Sequence, residues 1–198
     1  MALSTVQIAN FALSKIGTDS TIESLTENSA EAKECNLWMD HSRQQLLSAF
    51  NWSFARVRAS LSAHGDDPPD EWGYRYLYPG DCLKARFLEN PAGTTDDPVP
   101  FDVEQSEDGT KSILTDLNEA ILIYTKDVTT PSMYSFYFVE ALATLLGSHI
   151  AFPLTGKTKL AQLLTQEARQ MLIFAPAMDA SEKQDREPRD APQIRGRE

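Results

Sequence analysis

This sequence is poor in the residues from which most small catalytic and metal sites are built. It holds two cysteines and three histidines in 198 residues, and none falls in a CxxC, HExxH or similar ligand spacing. Cys35 and Cys82 lie far apart and read as separate reduced thiols, the ordinary state in a reducing cytosol. His41, His64 and His149 fall on different elements, so a metal site is not expected; His149 reads as a buried, hydrogen-bonded side chain. Thr155-Gly156-Lys157-Thr158 has the look of the end of a phosphate-binding loop. That loop needs a glycine five residues before its second one, but position 151 is alanine and Pro153 removes a further donor. No nucleotide or other cofactor is expected. Long apolar runs are missing too: none approaches the roughly 18–20 residues of a membrane span. The opening MALSTVQIANFALSKIG lacks a basic segment and reads as an amphipathic helix, not a secretion signal.

Positive charge is the other shortage. Lys and Arg number 18 against 29 acids, for a net charge of −11. Nucleic-acid binding draws its affinity from neutralised phosphates, which this balance disfavours. The acidity either aids solubility or keeps a polyanion from adhering to a wall, and composition does not separate the two. A hydrolase using two of the many acids is the enzyme alternative; it requires a fixed carboxylate pair with raised pKa in one cleft.

The remaining sequence is well patterned. Val6, Ala9, Leu13 and Ile16 recur at helical spacing, with Ser4 as cap and Gly17 as stop. Ala32, Cys35, Met39, Leu46 and Phe50 mark a second helix, capped by Asn28 or Ser29. The period then falls to two: Ala55, Val57, Ala59 and Leu61 alternate with Arg56, Arg58 and Ser60, a half-buried strand. Further strands are expected at 73–78, 82–89, 99–104, 111–114 and 120–125, and Asp108-Gly109 is the best hairpin signal. Helical period returns after Pro131 through Phe138, Val139, Leu142, Leu145, Leu146 and Ile150, stops at Pro153, and resumes through Leu160, Leu163, Leu164, Met171 and Leu172. The expected fold is α+β: an antiparallel helical bundle from helices over 4–16, 29–51, 132–152 and 157–180, with one small antiparallel sheet inserted over 53–126. Residues 1–180 form the single domain, and 181–198 an extended arm, because that segment has too few apolar groups to fold alone.

Two aromatic clusters stand out. Trp72, Tyr74, Tyr76 and Tyr78 alternate, which places all four on one face of a strand, as sheet core or as a contact with another chain. Met133, Tyr134, Phe136, Tyr137 and Phe138 are more apolar groups than one helix face can bury, so some of them are expected to meet another subunit. In the arm, Ile194 is an apolar anchor flanked by Arg195 and Arg197, guanidinium groups suited to bidentate pairing with partner carboxylates. The arm is expected to order on assembly, in a groove of a partner or of the adjacent subunit.

Several stretches together resemble the tail tubular protein A family of short-tailed bacteriophages. They are "ALSKIG", "SAEAKECNLWMDHSRQQLLSAFNWSFARVRASL", "YRYLYPGDCLKAR", "DGTKSILTD" with "ILIYTKDVT", and "FVEALATLLGSHIAFPLTGK". The likeness runs from about Val6 to Ala180 and includes the order of the elements; the arm matches only loosely. The resemblance implies a head-to-tail connector, a twelve-subunit ring between the portal protein and the tail nozzle. Such a ring lines part of the channel through which genomic DNA passes without sequence-specific binding, and it docks tail fibres. It also implies a location in the virion after synthesis in the host bacterial cytoplasm, no enzyme activity, no cofactor and no membrane. A monomeric assembly module, or a chaperone for another phage protein, is the alternative of a different class.

Overall fold

The computed structural model describes residues 3–90, 98–106 and 109–180. Helix α1 (Thr5–Lys15) begins where Ser4 and Gln7 cap each other: the Ser4 hydroxyl accepts from the Gln7 amide at 3.2 Å and Gln7 Oε1 from the Ser4 amide at 2.9 Å. Two orphan donors of the first turn are thereby satisfied. The connector that follows is held by Asn10, whose amide donates to the Ile22 carbonyl at 3.0 Å and accepts from its N–H at 2.9 Å. Ser29 caps helix α2 (Ala30–Ala49) through the Ala32 amide at 3.1 Å.

The end of α2 depends on a distant part of the chain. Its last turn carries no basic residue of its own, yet the terminal carbonyls need donors. Arg86 supplies them, donating to the carbonyls of Leu47 at 3.0 Å and Ser48 at 3.2 Å and also to that of Phe50. Trp52 Nε1 donates to the Leu46 carbonyl at 2.9 Å. A second guanidinium, that of the buried Arg43, pairs with Asp127 and donates to the Val128 carbonyl at 3.3 Å. It ties α2 to the segment that leads into the third helix.

Among the described residues, six strands follow a short 3-10 turn at Ser53–Ala55: β1 (Arg56–Ser60), β2 (Tyr74–Leu77), β3 (Cys82–Leu88), β4 (Asp102–Gln105), β5 (Lys111–Thr115) and β6 (Ile121–Lys126). All pairings are antiparallel, but there are two sheets, β1-β6-β3 and β2-β5-β4, where the sequence reading expected one. The middle strands explain the difference. Ser112–Thr115 of β5 and Leu122–Thr125 of β6 are buried without alternation, so each needs cover on both faces. Two small sheets sharing one core cover one of those faces; Tyr76 and Ile113 from one sheet and Leu88, Leu122 and Tyr124 from the other are buried in that cluster. The expected hairpin joins β4 to β5, with Gln105 opposite Lys111 and Gly109 at φ +84°, a conformation that favours glycine. Asp108 itself lies outside the described residues.

Helix α3 (Phe136–Thr155) starts four residues later than its apolar spacing suggests. Pro131–Met133 forms a separate 3-10 turn, and Tyr134 is extended; Ser135 then caps the helix through the Phe138 amide at 3.4 Å. Pro153 does not end α3 either. It sits within the last turn, and the helix closes at Gly156, left-handed at φ +66°. Helix α4 (Thr158–Ala180) follows directly. Helix α3 packs against α1, α2 and α4, with Phe138, Leu142, Leu146 and Ile150 fully buried. At its tightest approach, a Cβ on Gly147 would lie 3.5 Å from the Ala12 carbonyl of α1. This burial revises the reading of apolar runs: the 20-residue α3 has a mean hydropathy of 1.3, long and apolar enough for a bilayer, but 61% of that window is buried inside the protein. A helix surrounded by other helices acquires the same composition as one surrounded by lipid.

Candidate functional site

The second aromatic cluster divides between core and surface. Phe138 is fully buried, edge-on to Trp52 at 5.1 Å and to Phe54 at 5.0 Å. Tyr134 is half-buried over the same ring at 4.8 Å, and its hydroxyl donates to the Val128 carbonyl at 2.9 Å. Burial pushes that phenol up to about 12, so it stays a neutral donor. Both residues are therefore core. Met133, Phe136 and Tyr137 stay outside: Phe136 is 72% exposed and Met133 56%. The five residues do not crowd one helix, because Met133 and Tyr134 precede α3.

Phe136 and Tyr137 open onto a groove of about 400 Å³ between the start of α3 and the second half of α4. Met171 and Phe174 complete its apolar lining, with Glu140, Glu167 and Gln170 as its polar members. Glu140 Oε2 is 3.3 Å from Lys15 of α1; no partner of Glu167 is found among the described residues. Beside the groove Ile173 is exposed, and Phe174 is 68% exposed. The sequence reading missed Ile173 and Phe174. The available cue was that they fall outside the stripe Leu160, Leu164, Ala168 and Met171, buried at Leu164 and Ala168 and half-buried at its ends, whose steps of three and four define the inward face. Leu163, assigned to that stripe, is also exposed.

The tyrosine strand is divided as well. Tyr76 is buried, with its hydroxyl on the Leu117 carbonyl at 2.9 Å. Tyr78 is half-buried, with the Lys111 ammonium 5.5 Å from its ring centre. Tyr74 is exposed, its ring nearly parallel to that of Tyr76 at 6.2 Å. Trp72 precedes β2 in a turn, with its amide on the Pro69 carbonyl at 2.9 Å, so the four do not share one strand face. Ile194, Arg195 and Arg197 lie outside the described residues.

Other polar constellations are few. Cys35 and Cys82 are both free thiols, and burial pushes Cys35 up to about 11. No group of three or more His, Cys, Asp or Glu among the described residues is placed to hold a metal. Among the described residues, the carboxylates with perturbed pKa, Glu27 and Asp81, are shifted down, Glu27 chiefly by the Ser29 hydroxyl and Asp81 chiefly by Lys126. A general acid would need the opposite shift.

The fold does bring two histidines together. His149 of α3 stacks on Trp38 of α2 at 4.4 Å and 4°, and His41 lies edge-on at 6.0 Å. This corrects the expectation for His149: it is stacked and half-buried, and its Nε2 has no hydrogen-bond partner among the described residues. Burial first, and His41 second, hold its pKa below 6.5. The unfolded chain therefore takes up this proton at a higher pH than the folded one. Stability present above about 6.5 is lost as the pH falls toward the folded value. Thermal unfolding between about pH 7.5 and 5.5 should show a falling Tm, with a shallower slope in His149→Phe, which keeps the stack. An unchanged slope would place the titration elsewhere.

No protein-family model matches this chain, and no curated protein matches it.

Proposed function

We propose that this protein is a structural connector of a short-tailed phage virion, a subunit that closes into a ring between portal and tail nozzle and borders the DNA path. The observation that carries the reading is the aromatic surface at Phe136, Tyr137 and Phe174, left open beside a groove on the helical side of the molecule. Exposed apolar patches of this kind mark contact sites between chains, and aromatic residues are the usual anchors. The sequence resemblance to tail tubular protein A supports the same reading, as does the order of two helices, six strands and two helices. In this proposal the four helices form the antiparallel bundle of the adaptor, and the paired sheets project as its insertion. Partners are further copies of the chain, portal, nozzle and tail fibres; no catalytic residue or cofactor is assigned.

Copies that each carry −11 repel one another, and salt screens that repulsion. Association should therefore strengthen with protein concentration and with added salt, and a portal ring should promote it further. Sedimentation velocity across both variables, with and without purified portal, tests the idea. A protein that stays monomeric throughout, portal present, would overturn the connector reading. A ring stable at nanomolar protein in low salt would overturn its electrostatic part.

A further inference from the structure

The apolar interior is divided in two. One cluster joins side chains of all four helices with Trp52, Ala55 and Val128; the other belongs to the two sheets and holds Tyr76, Ile113, Leu122 and Tyr124. Among the described residues, α2 against β3 is the chief contact between a helix and a strand.

The chain crosses between the clusters twice, and both crossings fall at one place. Ala55 is buried in the helical cluster and Val57 packs on that of the sheets; on the return, Tyr124 belongs to the sheets and Val128 to the helices. Arg56 stands opposite Thr125 in the β1–β6 ladder, so the crossings run side by side, roughly 5 Å apart. Paired crossings define an axis. Small backbone changes at these two points turn the whole of 56–126 together.

Strand β3 opposes that turn. Leu83 packs against the helical cluster, and Lys84 Nζ donates to the Ser48 carbonyl at 3.3 Å. Arg86 makes the fullest contact: its Nε donates to the Thr125 hydroxyl at 2.8 Å within the sheet, while its guanidinium reaches the Leu47, Ser48 and Phe50 carbonyls on the helical side. No carboxylate pairs with Arg86 among the described residues, and burial pulls its pKa below the ordinary guanidinium value. A partly buried cation without a counter-charge is a costly anchor. The carbonyls it serves lie at a helix end, where water can take its place. Contacts of this kind open at lower free energy than an apolar core.

We propose that the two sheets form one hinged unit turning about the paired β1–β6 crossings, and that Arg86 latches this unit onto the end of α2. On the connector reading, the swing lets the sheets of each subunit follow a neighbour; the hinge itself does not depend on that reading.

The test uses the full chain, diluted until sedimentation shows monomer and weakly aligned for amide dipolar couplings. Wild-type couplings from helices and strands should fit one alignment tensor. In Arg86→Met, which keeps the apolar stem, the strands should need a second tensor of smaller magnitude, while the resonances of Ile113 and Tyr124 hold their folded positions. Arg86→Lys should fall between the two. Arg58→Met breaks an ion pair with Glu89 inside the sheet unit and should leave a single tensor. Amides in the last turn of α2 should exchange on the order of tenfold faster in Arg86→Met, the loss expected when a charged donor is removed. One tensor for all elements in Arg86→Met overturns the proposal. Two tensors in the wild type overturn it as well, because nothing would then be latched. Should Arg86→Met fail to fold, native-state hydrogen exchange of the wild type decides: Ile113, Leu122 and Tyr124 should open at a different free energy from Leu142 and Leu146. A single shared opening overturns the hinged unit.

Discussion

Trp52→Ala should lower stability by about 3–5 kcal/mol, the largest single loss expected in this protein. Trp52 is fully buried where α2 gives way to β1, edge-on to Phe50 at 5.7 Å and to Phe138 of α3 at 5.1 Å. Removing the indole opens a cavity among rings held on three separate elements, which cannot collapse together. It also takes away the donor to the Leu46 carbonyl, worth about 1 kcal/mol. For a chain of this length the melting temperature should fall by on the order of 10 °C. Trp52→Phe keeps most of the apolar contact and should cost clearly less. Chemical denaturation of both variants measures the effect; a loss under about 1 kcal/mol for the alanine variant would remove Trp52 from the core role given to it here.

Phe136→Ala and Tyr137→Ala should act on association instead of folding. Each is expected to weaken subunit contact by about 2–4 kcal/mol, typical of an aromatic anchor, or roughly 30- to 1000-fold in affinity. Phe136 is 72% exposed and Tyr137 39% exposed, so truncating either leaves no internal cavity, and helical circular dichroism and melting temperature should stay near wild type. Phe138→Ala is the contrasting neighbour: fully buried, its truncation should cost folding stability, by no more than the Trp52 change. Wild-type assembly by both surface variants would refute the interface. Unfolding of both would make them core residues and defeat the reading in a different way.

Local chemistry made several elements legible without coordinates. Ser4 and Gln7 stand three residues apart and cap each other, so the start of α1 is visible in four letters. Gly109 breaks regular structure where the sequence places the turn, because a positive φ suits glycine; Gly156, at φ +66°, closes α3 three residues past the expected stop at Pro153. The alternation in β1 survives folding because one of its faces carries Arg56 and Arg58 to solvent.

Tertiary packing decided what periodicity could not. Whether an apolar run is buried on one side or two depends on what lies opposite, so β5 and β6 could not announce two sheets. Arg86 caps α2 from 36 to 39 residues away, a contact that no local window contains. The stacking of His149 on Trp38 arises only once α2 and α3 lie side by side. The aromatic run from Met133 to Phe138 was visible as an excess of apolar groups. Ser135, by starting α3 late, determined its division into core and surface: Tyr134 and Phe138 turn inward, while Phe136 and Tyr137 remain open beside Phe174.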